Sequence, residues 1–489
     1  MQIKQLLELE TAPDIEQKLG RLPDELKGAY REIYAKVAKS KHAKALVDRA
    51  CMWVMCAYEP LTTVELIGAI CIDPDDNTFR LTCEVDEDLL LRLCKYLLIL
   101  DSQRKVWRFS HLSVAEYFED NNLGRPQAHC HAAKVCLKLL IEAYKEPSEA
   151  RDIFHPKHQL QFYSRNYWIG HVQTQEGQEA DTVLADQLKA FLGSPGESSL
   201  EYREWHRRVF SDPYGRAPTS VLYNINSEDI SPENASIFAI CRFSFYTLLS
   251  DWWGKVEIAI SQTNKRGDNL LALAAMGGCR PICKALLERG IHINTQSQYS
   301  GSTLAAAVAY SGETEILKFL IQEGKADVNM LLQYGEYGSA LAAAAHSEKT
   351  EIIKFLAQEG KADVNMLLQC GDYGSALTAA AYWGRTEIIK FLVQEGKADV
   401  NMLLHSREYG SALAAAAYQG WKQCVESLIN AGAKVNLKLE NGLYETALQA
   451  AQADVTKRLW WDQRDEEELK QDKAEVMELL QRHGATNED

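Results

Sequence analysis

One pentapeptide recurs at a fixed interval, and it limits the possible fold more than any other feature of the chain. Tyr-Gly-Ser-Ala-Leu begins at Tyr337, Tyr373 and Tyr409, 36 residues apart each time. Thr-Glu-Ile at Thr314, Thr350 and Thr386 keeps the same interval, as does Gly-Lys-Ala-Asp-Val-Asn at Gly324, Gly360 and Gly396. A period in this range marks stacked units, each too small to bury its own apolar face.

Each unit reads as two short helices and a long turn. The first helix is alanine-rich, as in Leu377-Thr378-Ala379-Ala380-Ala381, and small side chains let neighbouring helices approach closely. The second runs from Thr386 to Gln394, with Ile388, Ile389, Phe391 and Leu392 on one face. Gly396 follows where a left-handed residue is expected to end the helix.

The run Gly374-Ser375-Ala376-Leu377, then Ala380-Ala381, Gly384 and Ala398-Asp399-Val400-Asn401, resembles the ankyrin repeat. The Pro and His of that family's Thr-Pro-Leu-His tetrapeptide are missing, so its usual hydrogen bonds are not carried over. The period exceeds the family's usual length of about 33 residues, and the surplus falls in Asn-Met-Leu-Leu-Gln-x-Gly, which is expected to lengthen the turn. Further copies open at Gly267-Asp268-Asn269-Leu270-Leu271, at Gly410, and at Glu445-Thr446-Ala447-Leu448, the last resuming at Ala474 after an insertion with Trp460-Trp461. Six clear repeats and a degenerate one between Ser231 and Ile260 are expected over residues 231–489.

The first half carries other signals. Residues 14–40 have a helical pattern, with Leu22-Pro23-Asp24-Glu25 as a start. Leu46, Val47, Ala50, Cys51 and Val54 form one stripe. In Leu61-Thr62-Thr63-Val64-Glu65-Leu66, Thr62 and Glu65 make a capping box, and Leu61 with Leu66 a hydrophobic staple. A third helix is expected from Val85-Asp86 to Tyr96, then two β-like runs, 97–100 and 106–109, then a helix capped by Ser113. That order is a winged helix over 41–122, preceded by a helical segment over 1–40. The fold class expected is therefore mainly α: a winged-helix-like domain with a small hairpin, a helical linker over 123–230, and a C-terminal ankyrin solenoid.

The segments Leu22-Pro23-Asp24-Glu25-Leu26-Lys27, Asp88-Leu89-Leu90 and Trp107-Arg108-Phe109-Ser110-His111-Leu112-Ser113-Val114 with Glu116-Tyr117 resemble the winged helix that follows the nucleotide-binding domain in fungal NACHT–ankyrin receptors. Tyr163, Tyr167-Trp168 and His171 resemble the helical linker of the same proteins. The resemblance implies that His111 senses a nucleoside diphosphate; alternatively His111 merely joins strand to helix. No Gly-x-x-x-x-Gly-Lys-[Ser/Thr] occurs in the sequence, so the nucleotide domain is expected to be missing here, through a truncated gene model or a real short form.

Net charge is −15, and the candidate recognition helix begins Asp86-Glu87-Asp88, so nucleic acid is not the expected partner. No apolar run is long enough to span a membrane. The twelve cysteines include no Cys-x-x-Cys and are read as reduced thiols of a cytoplasmic protein. His129-Cys130-His131 lacks a second ligand pair at zinc spacing and is read as a helix start, with no metal. No cofactor and no catalysis are expected, since Ser110, His111 and Ser113 lack a Gly-x-Ser-x-Gly turn.

Capture of a protein partner is expected instead, at the positions where near-identical repeats differ. These are His346, Tyr382, Trp383, Arg385, Tyr418, Gln419 and Trp421 after the first helices, and Glu336, Asp372 and Arg407 at the turn tips. In ankyrin-like solenoids such positions line the concave face. Tyr337, Tyr373 and Tyr409 recur identically and are expected to pack between repeats.

Overall fold

In the computed structural model, the described residues are 24–37, 40–75, 85–120, 123–145, 159–212, 215–255, 258–404, 409–439, 442–454, 462 and 464–486. Those up to Ser227, with Phe245 to Lys255, form one compact unit; Glu228 to Ser244 and those from Ile258 onward form a second.

The first unit begins with α1 (Asp24–Val37), α2 (Lys41–Cys56), α3 (Thr63–Ile70) and α4 (Glu87–Cys94). Strands β1 (Leu98–Asp101) and β2 (Val106–Phe109) pair antiparallel, with Leu98 opposite Phe109 and Asp101 opposite Val106. Helix α5 (Leu112–Asp120) follows, which completes the winged-helix order. Thr62 and Glu65 form the expected capping box, and Leu61 and Leu66 are both buried. Trp107 N–H donates to Leu61 O at 3.0 Å, tying the wing to the start of α3.

The start of α5 differs from expectation. The helix begins at Leu112, so Ser113 lies inside it. The Ser113 hydroxyl is taken by Tyr30 Oη at 2.7 Å and His111 Nδ1 at 2.8 Å. His111 Nδ1 instead accepts the Ser113 backbone N–H, so the imidazole does the capping.

The linker is helical: α6 (Arg125–Tyr144), α7 (Gln159–Gln173), α8 (Thr182–Leu192) and α9 (Leu200–Ser211). Sequence reading missed α9, whose Trp205 is buried against Trp168 and donates its Nε1–H to Arg165 O. Helix α10 (Ser236–Phe243) lies in the second unit. Helix α11 (Ser250–Lys255) lies in the first, where Glu176 accepts the Tyr246 and Thr247 N–H groups just before it.

The second unit is a stack of helix pairs. First helices lie at Leu270–Met276, Thr303–Ala306, Ala340–His346, Ala376–Tyr382, Ala412–Gln419 and Ala447–Gln452. Their partners start at Arg280, Thr314, Thr350, Thr386, Lys422 and Glu466. The apolar face Ile388, Ile389, Phe391 and Leu392 is buried, as are Ala379, Ala380 and Ala381. Where the usual tetrapeptide is absent, a hydroxyl takes over. Ser339, Ser375 and Ser411 each accept the backbone N–H three residues on, as N-caps.

The helix ends correct one expectation. Gly324 and Gly360 are not left-handed, with φ of −74° and −73°. The left-handed residue is the next one: Lys325, Lys361 and Lys397 have φ of 60°, 57° and 57°. Glycine is needed for space instead. A Cβ on Gly360 or Gly396 would sit 2.8 Å from the Leu356 or Leu392 carbonyl oxygen.

An asparagine ladder joins the repeats. Asn365 Nδ2 donates to Lys397 O at 3.2 Å, while its Oδ1 accepts Asp399 N–H at 2.7 Å. Asn329 does the same with Lys361 and Asp363, and Asn401 with Gly432 and Lys434. The last residue of the recurring Gly-Lys-Ala-Asp-Val-Asn is thus a clamp on the following unit.

Candidate functional site

Aromatic rings run along the second unit from repeat to repeat. Tyr337 lies against His346, His346 against Tyr373 and Trp383, Tyr382 against Tyr409, and Tyr418 against Tyr444. Tyr337, Tyr373 and Tyr409 are buried in the repeat stack of the second unit, as their identical recurrence indicated.

Several residues expected on an exposed face also belong to this stack. Trp383 is 8% exposed and donates its Nε1–H to Tyr373 Oη at 2.6 Å. Tyr382, Tyr418 and Gln419 are buried as well. Trp383 meets His346 of the preceding repeat, and Tyr382 meets Tyr409 of the following one. His346 is half-buried, and burial together with the Arg385 charge pushes its pKa down to about 4.

The position after the first helix shows three chemistries for one task. Lys349 Nζ donates to Val308 O and Ala309 O of the preceding repeat at 2.9 and 3.3 Å. Arg385 pairs with Glu348 at 2.6 Å, and Trp421 donates its Nε1–H to Tyr382 O at 2.9 Å. A cation, a guanidinium and an indole each reach back across the junction. Arg464 stacks 3.9 Å from the Trp421 ring centre and donates to Gln419 O. The end of the insertion therefore covers Trp421, which is half-buried.

Among the residues expected to meet a partner, those fully open to solvent lie on the turn tips. Tyr334 is 52% exposed, and Glu336 and Asp372 are exposed beside it. Gln298, Tyr299, Gly335, Glu336, Cys370, Gly371 and Asp372 line a shallow cleft of about 410 Å³ over three successive tips. The tips touch backbone to backbone, since a Cβ on Gly371 would lie 2.5 Å from Glu336 O. That close approach holds the two carboxylates on neighbouring turns. Arg407 lies outside the described residues.

In the first unit, His111 is exposed at the wing-to-α5 junction. Because its Nδ1 accepts the Ser113 N–H, the neutral ring carries its proton on Nε2, as a donor. A separate cluster includes His129, which the sequence offered only beside Cys130 and His131 and as a helix start; it lies inside α6, which begins at Arg125. Cys56 at the end of α2, His129 on α6 and His171 on α7 bring Sγ and imidazole nitrogens within 4.8 Å of one another. Linear spacing does not join the three, because each residue comes from a different helix.

A family model for ankyrin repeats (three copies) matches residues 239–331 and 302–404. A model for the GPI inositol-deacylase winged helix domain matches residues 34–128. No curated protein matches the chain. Among solved structures, the human ASB11 ankyrin repeat domain is similar at 19% identity over 52% of this chain and 100% of its own, with a TM-score of 0.39. The second unit is an ankyrin-repeat solenoid and the first contains a winged helix.

Proposed function

We propose that this ankyrin-repeat chain is a non-enzymatic interaction protein whose second unit captures a protein partner. The observation that carries this reading is the row of turn tips. Exposed Tyr334, Glu336 and Asp372 sit on a rigid, repeated scaffold, while the residues behind them are committed to packing. An exposed aromatic ring and two carboxylates on neighbouring turns suit a partner that offers Lys or Arg beside an apolar side chain. The surface meets the partner along the tips and the adjoining concave face. Arg385 and Trp421 contribute at its margin, while His346, Tyr382, Trp383, Tyr418 and Gln419 support it from beneath.

Nucleic acid is a poor partner for the winged helix, since Asp86, Glu87 and Asp88 are exposed where α4 begins and would repel phosphate. Unpaired thiols such as Cys51, Cys94, Cys136 and Cys283 suit a reducing, cytoplasmic setting. The test is affinity capture from the source cells with the wild-type chain and with Glu336→Lys/Asp372→Lys. The charge-reversed chain, folded by circular dichroism, should lose the partner; equal recovery would refute the assignment.

His111 favours a second reading, in which the chain is the C-terminal part of a nucleotide-switched receptor of the NACHT type acting in non-self recognition. Its Nε2–H is a donor suited to a diphosphate oxygen. In a chain that also carries a nucleotide-binding domain, His111→Ala should raise basal activation; unchanged activation would remove this role.

A further inference from the structure

We propose that Cys56, His129 and His171 form a zinc-class metal site at the junction of α2, α6 and α7. The donor atoms lie within 4.8 Å of one another, and the two Nδ1 atoms face each other at 2.7 Å. In a tetrahedral zinc site, with Zn–N of about 2.0 Å and Zn–S of about 2.3 Å, donors lie roughly 3.3–3.6 Å apart. To admit the ion the imidazoles part by about 0.6 Å and the Cys56 sulfur settles about 3.5 Å from both nitrogens. One sulfur and two nitrogens make the donor set, and water completes the tetrahedron.

The surroundings are built for this use. Tyr163 Oη lies 2.9 Å from His171 Nε2 and itself accepts the Tyr58 N–H at 3.0 Å. A metal-ligating histidine usually hands its other ring N–H to such an oxygen, which fixes tautomer and ring plane. Trp53, Tyr58, Tyr163 and Tyr167 surround the pair: Trp53 meets both Tyr163 and His171 edge to face, and Tyr58 stacks on Tyr167. Tyr58, 42% exposed, lies over His171 with ring centres 4.9 Å apart, as a lid between site and solvent. Glycine at 170 leaves room for this placement, since a Cβ there would lie 2.8 Å from Tyr58 Oη.

The chemistry balances simply. Without metal, the facing Nδ1 atoms share one proton. On binding, that proton ends on the Nε2 of the ring that held it, both Nδ1 lone pairs go to the ion, and the Cys56 thiol releases one proton to water as the sulfur–metal bond forms.

The full chain, stripped with chelator, is titrated with Co²⁺ and then Zn²⁺ while its absorption is followed. One equivalent of Co²⁺ should give tetrahedral ligand-field bands and a sulfur-to-cobalt charge-transfer band, both bleached by one equivalent of Zn²⁺. Cys56→Ala should abolish the charge-transfer band, His129→Gln should weaken binding at least tenfold, and Cys130→Ala should change neither. Circular dichroism checks folding, and if one of the two ligand variants fails to fold, the other decides. A folded wild-type chain without the charge-transfer band, or uptake unchanged in a folded ligand variant, would overturn the site.

Discussion

The rings of Trp383 and His346 meet edge to face across the junction of two repeats, with centroids 4.3 Å apart and planes at 83°. One repeat later the same two positions hold Gln419 and Tyr382. Where the first position holds the smaller imidazole the second holds an indole, and where the first holds the larger Tyr382 the second holds the smaller Gln419. His346→Tyr alone should overpack the junction and cost about 1–3 kcal/mol. Trp383→Gln alone should cost about 3 kcal/mol through lost aromatic burial. Chemical denaturation of both variants and their combination forms the check. The double variant should be at least about 1 kcal/mol more stable than the sum of the singles implies; strict additivity would mean the positions are not matched.

The asparagine ladder gives a second expectation. Asn365→Ala removes both bonds that link its turn to the next, at Lys397 O and Asp399 N. Both are solvent-exposed, so the net loss should be about 1–2 kcal/mol. Because each repeat leans only on its neighbours, hydrogen exchange should rise first on either side of this junction.

Backbone geometry at the helix ends gives a third. Lys361 sits at φ 57°, so Lys361→Gly should relieve strain and leave stability equal or higher by up to about 1 kcal/mol. Gly360→Ala should do the reverse, by about 1–3 kcal/mol, because the new Cβ meets Leu356 O at 2.8 Å. In thermal melts Gly360→Ala should unfold below the wild type and Lys361→Gly should not.

His346 makes the second unit sensitive to acid. Its folded pKa is about 4 against an ordinary 6.5, so the unfolded chain binds the proton more readily. The stabilisation is complete above pH 6.5 and is lost as pH falls towards 4. His346→Phe keeps a ring and removes the titration, so its melting temperature should fall less between pH 7 and pH 4 than that of the wild type. Parallel curves would place the acid sensitivity elsewhere.

Residue patterns reveal the scaffold well and the surface poorly. Recurrence of Tyr-Gly-Ser-Ala-Leu was enough to define the stack, and Thr62 with Glu65 to mark the start of α3, because both are local signals. Trp383 misled, since a residue that varies between repeats looks like a contact residue until its partner His346 is seen one repeat away. The helix-end glycines misled for a related reason: Gly396 is required by the Leu392 carbonyl rather than by its own φ. Helix α9 was missed because Trp205 and Tyr202 are spaced among charges, and its burial depends on Trp168. Cys56, His129 and His171 are far apart in sequence and meet only once three helices pack.

The most direct measurement places a photo-crosslinking phenylalanine derivative at Tyr334, in the source cells, with the same group at exposed Tyr96 of the winged helix as control. A discrete protein adduct from position 334, absent at position 96 and lost in Glu336→Lys/Asp372→Lys, is the expected result. An adduct at position 334 that survives charge reversal, or adducts only from position 96, would contradict partner capture by the ankyrin turn tips.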